Sequence, residues 1–297
     1  MKTIEINKPM HPLQMYAGAL LSTTKRPGVI KALPKVTYVR PNVVLDAAEI
    51  AAYAKVCGFT AAHGVPLIYP QLLTFPLAMA FFGSDNCPWP AMGTVHLGNR
   101  IRQHQRLNAG DALRVEMRTG TLIAHEKGQI FNLEMAILRN DELVWEATQS
   151  LLRIGVKNPV GPEYASAIGS ELPLSHQADF SAPADIGRRY GVVSGDLNPI
   201  HVSALSAKLF GFRQAIAHGL WTNARALAAL VPHTPLAQAE MTTEFKTPLF
   251  LPARSSLWAT RQLKGPLPDN ALFEVRNARG DKPHLRAQLA YKVDQGA

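Results

Sequence analysis

The octapeptide SGDLNPIH, Ser194 to His201, holds an aspartate and a histidine five positions apart around a proline. A free carboxyl group titrates near pH ~3.9 and a free imidazole near ~6.5. Asp196 and His201 are therefore suited to holding and moving a proton together. Burial in an apolar pocket would raise the aspartate's pKa towards the range useful for general base work. Pro199 restricts Asn198 to extended backbone. That would keep Asp196 and His201 on one side of the loop, with the Asn198 amide as its brace. The same residue types also have a plain structural use. Gly, Asp, Asn and Pro make turns, and Asp196 could form an Asx turn or cap a helix beginning near Ser203. Ser194 has no general base beside it, which weakens a serine-nucleophile reading. His96 and His104 lack cysteine or carboxylate neighbours, and Cys57 and Cys87 lack metal-ligand spacing. No metal and no cofactor is expected.

The rest of the chain must position that loop. Its 297 residues are 47% hydrophobic and 18% charged, a globular composition with material for a sizeable core. The net charge of +9 favours anionic partners. The lysines and arginines are scattered, however, and no nucleic-acid motif accompanies them, so no nucleic-acid partner is expected. No run of about 18 apolar residues exists, which predicts no membrane span. The first residues lack a signal-peptide core, and two cysteines make no disulfide framework, so a cytoplasmic setting is expected.

Residues 155–174 are rich in Gly, Pro, Ser and Ala and read as a linker. Before it, ALRVEMRTGTLIAHE, GQIFNLEMAIL and ELVWEATQSLLRI read as antiparallel strands with turns between them. After it come helical stretches, then four more strand-like segments. The halves share a faint repeat. Tyr53 to Gly58 aligns with Tyr190 to Gly195, residues 68–80 with 216–228, and 92–99 with 241–248. The stretches 66–82 and 216–231 are apolar on most sides, which predicts buried helices. Where the second copy has Asp196, Asn198 and Pro199, the first has Phe59, Ala61 and Ala62, and His63 is off register by one. The expected organisation is a first unit over 1–154 with a degenerate loop, the linker 155–174, and a second unit over 175–297 that carries the site.

The run Tyr190-x-x-Val193-Ser194-Gly195-Asp196-x-Asn198-Pro199-Ile200-His201, followed by Ala207, resembles the hydratase-2 signature of the MaoC-like family. Members are (R)-specific 2-enoyl-CoA hydratases and related 3-hydroxyacyl-thioester dehydratases. The segment GFRQAIAHGLWT resembles the family's entry into its central helix. The resemblance implies an α+β double hot-dog, each unit a long central helix wrapped by an antiparallel β-sheet. It implies a hydro-lyase in which Asp196 and His201 activate water, with Asn198 bracing the loop. The start of the helix at His218-Gly219 would offer unpaired N–H groups, with Gly219 as the oxyanion donor. Ser194, Gly195, His218 and Lys246 are the expected substrate-binding residues. Lys246, Arg254, Arg261 and Lys264 are candidates for phosphate contact. Leu72, Leu73, Phe75, Leu77, Met79, Phe81 and Phe82 of the first long helix would shape the acyl pocket. The implied partner is an acyl-CoA or acyl-carrier-protein thioester, and a homodimer is compatible with the fold. On the same residues, an acyl-thioesterase and a non-catalytic acyl-thioester or carrier-protein binding module stand as alternatives. Thiol release would favour the first, and indifference of binding to Asp196 substitution the second.

Overall fold

Gly58 and Gly195, which the repeat aligns, both end helices. Helix α1, Ala47–Cys57, stops at Gly58 with φ 85°, and helix α3, Ile186–Ser194, stops at Gly195 with φ 77°. Both glycines are left-handed, a conformation that ends helices and that side chains disfavour. The structure is a computed structural model that describes residues 2–7, 22, 25, 28–91, 93–169, 173–261 and 269–294. Lys264 lies outside those residues, as does the side chain of Arg261.

The duplication extends to element order. The first copy runs β2 (Val36–Val44), α1, α2 (Tyr69–Gly83), β3 (Thr94–Gln103), β4 (Ala112–His125), β5 (Gly128–Arg139) and β6 (Glu142–Ile154). The second runs β7 (Ser175–Ala182), α3, two short helices α4 (Pro199–Val202) and α5 (Ala204–Lys208), and then α6 (Gly219–Leu230). Strands β8 (Leu236–Phe245), β9 (Ala253–Arg261), β10 (Asp269–Asn277) and β11 (Pro283–Val293) complete it. Strand order is β2-β4-β5-β6-β3 in the first copy and β7-β9-β10-β11-β8 in the second, which is the same permutation. A short strand β1, Lys2–Glu5, adds in parallel to β2. The five strands of the second copy pair antiparallel throughout.

Contacts divide the chain into two units that are not continuous in sequence. One comprises Met1–Val44, Pro70–Ile101 and Asp111–Ser166; the other comprises Leu45–Tyr69, Arg102–Gly110 and Ala167–Ala297. Within the first, β4, β5 and β6 form a meander. Its β5–β6 turn places Asn140 and Asp141 at φ 52° and 64°, the paired positive angles that tight hairpins require. Leu73, Leu77, Met79 and Phe81 of α2 are buried, and Leu72, Phe75 and Phe82 half-buried. A largely buried helix is what its apolar sequence predicts.

In the second unit α1 lies on α3, with the rings of Tyr53 and Tyr190 6.1 Å apart. The Trp221 indole, one turn into α6, donates to the Val56 carbonyl at 3.1 Å, where α1 ends. Phe180 meets Trp221 edge-on at 6.2 Å, and Leu257, Phe273, Val275, Leu285 and Leu289 close the core from the sheet. These contacts fix the start of α6 and the end of α3, between which the SGDLNPIH loop is strung. Among the described residues no helix is long and apolar enough to cross a membrane.

Candidate active site

The loop begins where α3 stops. Ser194 is buried, and its hydroxyl accepts the Asp196 N–H at 3.2 Å. One carboxylate oxygen of Asp196 accepts the Asn198 N–H at 3.1 Å, an Asx turn. Asn198, at φ −52° and ψ 127°, then caps α4 by accepting the Ile200 N–H at 3.3 Å. Pro199 takes the first helical position, where its missing N–H costs nothing. Ser203 starts α5, accepting the Ser206 N–H at 3.0 Å, so Asp196 is not needed as that cap. Ser194, Gly195 and Asn198 thus shape the loop from within.

His201 is buried, and its Nδ1 lies 2.7 Å from the Ile216 carbonyl. A carbonyl can only accept, so the proton sits on Nδ1 and the lone pair on Nε2. Ile216 is held in turn. Its N–H donates to Ile200 O at 3.0 Å, and the next N–H, of Ala217, donates to Leu249 O at 2.8 Å. The connector 215–217 therefore ties the loop to the start of α6.

His218 stands at that start. Its ring stacks on His201 with centroids 3.7 Å apart, and its Nε2–H donates to the Asp196 carbonyl at 2.9 Å. The side chain thus holds the loop and makes no cap bond to its own helix. The N–H groups of the first turn of α6, Gly219 among them, therefore gain no acceptor from it. A Cβ built at Gly219 would come 2.6 Å from Cε1 of Phe245, so the Phe245 ring lies directly over this glycine.

Burial sets the charge of the two imidazoles. It lowers the pKa of His201, against the pull of the Asp196 carboxylate and the bond to Ile216. Burial and then the neighbouring His201 push His218 down to about 3. The 3.8 Å approach of His218 to the Asp196 carboxylate is therefore not an ion pair at neutral pH. Asp196 itself is 31% exposed, which departs from the burial expected of it. The Asx turn holds it at the open side of the cluster.

These pKa shifts predict acid sensitivity. Each folded histidine has a pKa below its unfolded value of 6.5, so the unfolded chain takes up protons first as pH falls. Stability is complete above pH 6.5 and declines towards pH 3, the value of His218. For His218 the decline reaches about 1.4 kcal/mol per pH unit between those values. Denaturant midpoints measured between pH 6.5 and about 5, above the usual carboxylate range, should fall, and His218→Asn should flatten the slope.

One ligand atom from each of Asp196, His201 and His218 fits within 4.8 Å of the others. Two features oppose reading the cluster as a metal centre. His201 Nδ1 and His218 Nε2 are committed as donors. The rings also stack at an interplanar angle of 26°, which keeps their in-plane lone pairs from converging on one ion. A carboxylate beside a neutral imidazole with a bare Nε2 can instead orient a water and take its proton.

The other expected residues fall elsewhere. Lys246 pairs with the buried Glu244 at 2.5 Å, one residue beyond Phe245 on the chain. Arg254 is exposed at the start of β9. His63 turns back on Thr60, whose N–H it accepts at 3.0 Å.

The MaoC like domain profile matches residues 164–258. The chain is 33% identical to 3-hydroxyacyl-thioester dehydratase X of Mycobacterium tuberculosis over 258 residues, 86% of this chain and 90% of that one. It is similar to a crystal structure of HtdX of Mycobacterium tuberculosis, with TM-score 0.71, 30% identity, and coverage of 86% of this chain and 100% of that one. A conserved hypothetical protein of the same organism, described as a double hotdog fold, superposes with TM-score 0.56 at 13% identity, covering 90% and 98% of the two chains. This chain, with its two identically ordered sets of five strands and its Asp196–His201 loop, belongs to the MaoC-like dehydratase family and is a hydro-lyase of the double hot-dog fold.

Proposed function

We propose that the protein catalyses the (R)-specific hydration of 2-enoyl thioesters, of CoA or acyl-carrier protein, to 3-hydroxyacyl thioesters, and the reverse dehydration. The observation that carries this reading is the pairing of the Asp196 carboxylate with a neutral His201 whose Nδ1–H is fixed on Ile216 O. The dehydratase named above, 33% identical along most of both chains, supports the substrate class.

In the forward direction a water held by Asp196 and by His201 Nε2 gives a proton to Nε2 as its oxygen bonds to C3. The C2=C3 π pair moves towards the thioester, and charge grows on the thioester oxygen. The Gly219 N–H, at the positive end of α6, faces that oxygen. The proton on Nε2 then passes to C2, which restores the carbonyl and the neutral imidazole. Dehydration is the same path reversed. The division into a degenerate first unit over 1–154, a linker over 155–174 and a catalytic unit over 175–297 belongs to this proposal, with α1 lent to the catalytic unit.

Turnover of crotonyl-CoA and longer enoyl-CoAs, followed by loss of the conjugated enoyl absorbance, tests the reading. Release of free thiol without loss of the double bond would replace it with a thioesterase. Because burial lowers the His201 pKa, its base form persists below the free imidazole value. The acid limb of kcat/KM for hydration should therefore fall below pH 6.5, the ordinary histidine value. A limb above that value would show another group in control.

A further inference from the structure

Helix α3 carries two buried glycines one turn apart, Gly187 and Gly191. Neither has a positive φ, so neither is there for a left-handed backbone. Glycine within a helix weakens it relative to alanine, and a reason in packing is needed. A Cβ at Gly187 would stand 1.9 Å from the carbonyl oxygen of His201. A Cβ at Gly191 would stand 2.8 Å from the carbonyl oxygen of Asp196 and 2.9 Å from Cδ2 of Leu197. Each glycine therefore lies under the backbone of one member of the proton-transfer pair. The first copy supplies an internal comparison. Continuing the alignment of Tyr53 with Tyr190 places Ile50 and Ala54 of α1 where Gly187 and Gly191 stand in α3. Both are buried, and both carry side chains in the copy that lacks the loop.

We infer that Gly187 and Gly191 are positioning residues, which let the loop lie against α3 at the depth that sets His201 and Asp196 in register. The kinetic consequence rests on the proposed hydratase function; the positional one does not. The test compares Gly187→Ala, Gly191→Ala and the control Val192→Ala with wild type. Val192 lies on the same helix and is 76% exposed. Two quantities are read on each folded variant: the ring Nδ1–H resonance of His201 by ¹H–¹⁵N NMR, and kcat and KM for enoyl-CoA hydration. In wild type the bond to Ile216 O should make that resonance downfield and slow to exchange. Gly187→Ala should shift or abolish it and lower kcat about 10²-fold with little change in KM. Gly191→Ala should lower kcat about tenfold, as its Cβ meets less severe contacts. Val192→Ala should match wild type. If Gly187→Ala does not fold, Gly191→Ala decides on kcat and the resonance together. Folded glycine variants with a wild-type resonance and wild-type kcat would overturn the inference. If wild type hydrates no enoyl thioester, the hydratase reading fails and the resonance alone decides whether the glycines position the loop.

Discussion

Asp196→Asn should yield a folded protein that has lost about 10²–10⁴ of its kcat, the range associated with general acid–base groups. The substitution separates structure from chemistry. Asparagine keeps a side-chain oxygen for the Asn198 N–H, so the Asx turn survives. The backbone carbonyl that receives the His218 Nε2–H is untouched. What disappears is the negative charge that, in the proposed mechanism, orients the water and favours a proton on His201. His201→Ala should lose as much activity, with a larger drop in melting temperature. It strips the partner from Ile216 O and leaves a hole against the stacked ring of His218. The double variant should be little worse than either single one, because the proposed mechanism has the two residues act on one water. Steady-state kinetics beside thermal denaturation read all three. Full activity in Asp196→Asn would remove the residue from the mechanism.

Gly219→Ala carries the second large effect, a fall in kcat of about 10²–10³, the cost of losing one oxyanion donor. Its Cβ would stand 2.6 Å from Cε1 and 2.8 Å from Cδ1 of Phe245. Either the ring swings out or the first turn of α6 tilts, and a tilt carries the Gly219 N–H off its line. Phe245→Ala in the same chain removes the obstruction, and should restore at least a tenth of the lost rate by the same scale. Failure to rescue would mean that the methyl group itself blocks the thioester. Kinetics on the two single variants and the double variant distinguish these outcomes.

Much of this site was readable from residue types because the loop is made of short-range chemistry. Ser194, Asp196, Asn198 and Ser203 each bond a backbone N–H two or three residues on. Such bonds follow from local sequence. The duplication was readable for a similar reason, since two helix-ending glycines and two mostly apolar helices recur in order. What lay beyond the sequence depends on distant backbone meeting in space. The stack of His201 on His218 joins residues 17 apart, and the proton on His201 Nδ1 is fixed by a carbonyl 15 residues away. The 187/191 glycine spacing was visible, but its purpose appears where the loop folds back upon it. The linear division of the chain could not show that α1 groups with the second unit. The ion pair of Lys246, expected at the substrate, with Glu244 two residues away likewise shows only in the structure.

The chirality of the product formed from crotonyl-CoA by the wild-type protein tests the proposed hydration directly. Loss of the enoyl absorbance and accumulation of (3R)-3-hydroxybutyryl-CoA are expected, with Asp196→Asn giving little of either. An (S) product, or no turnover of any enoyl-CoA or enoyl-acyl-carrier protein, would contradict it.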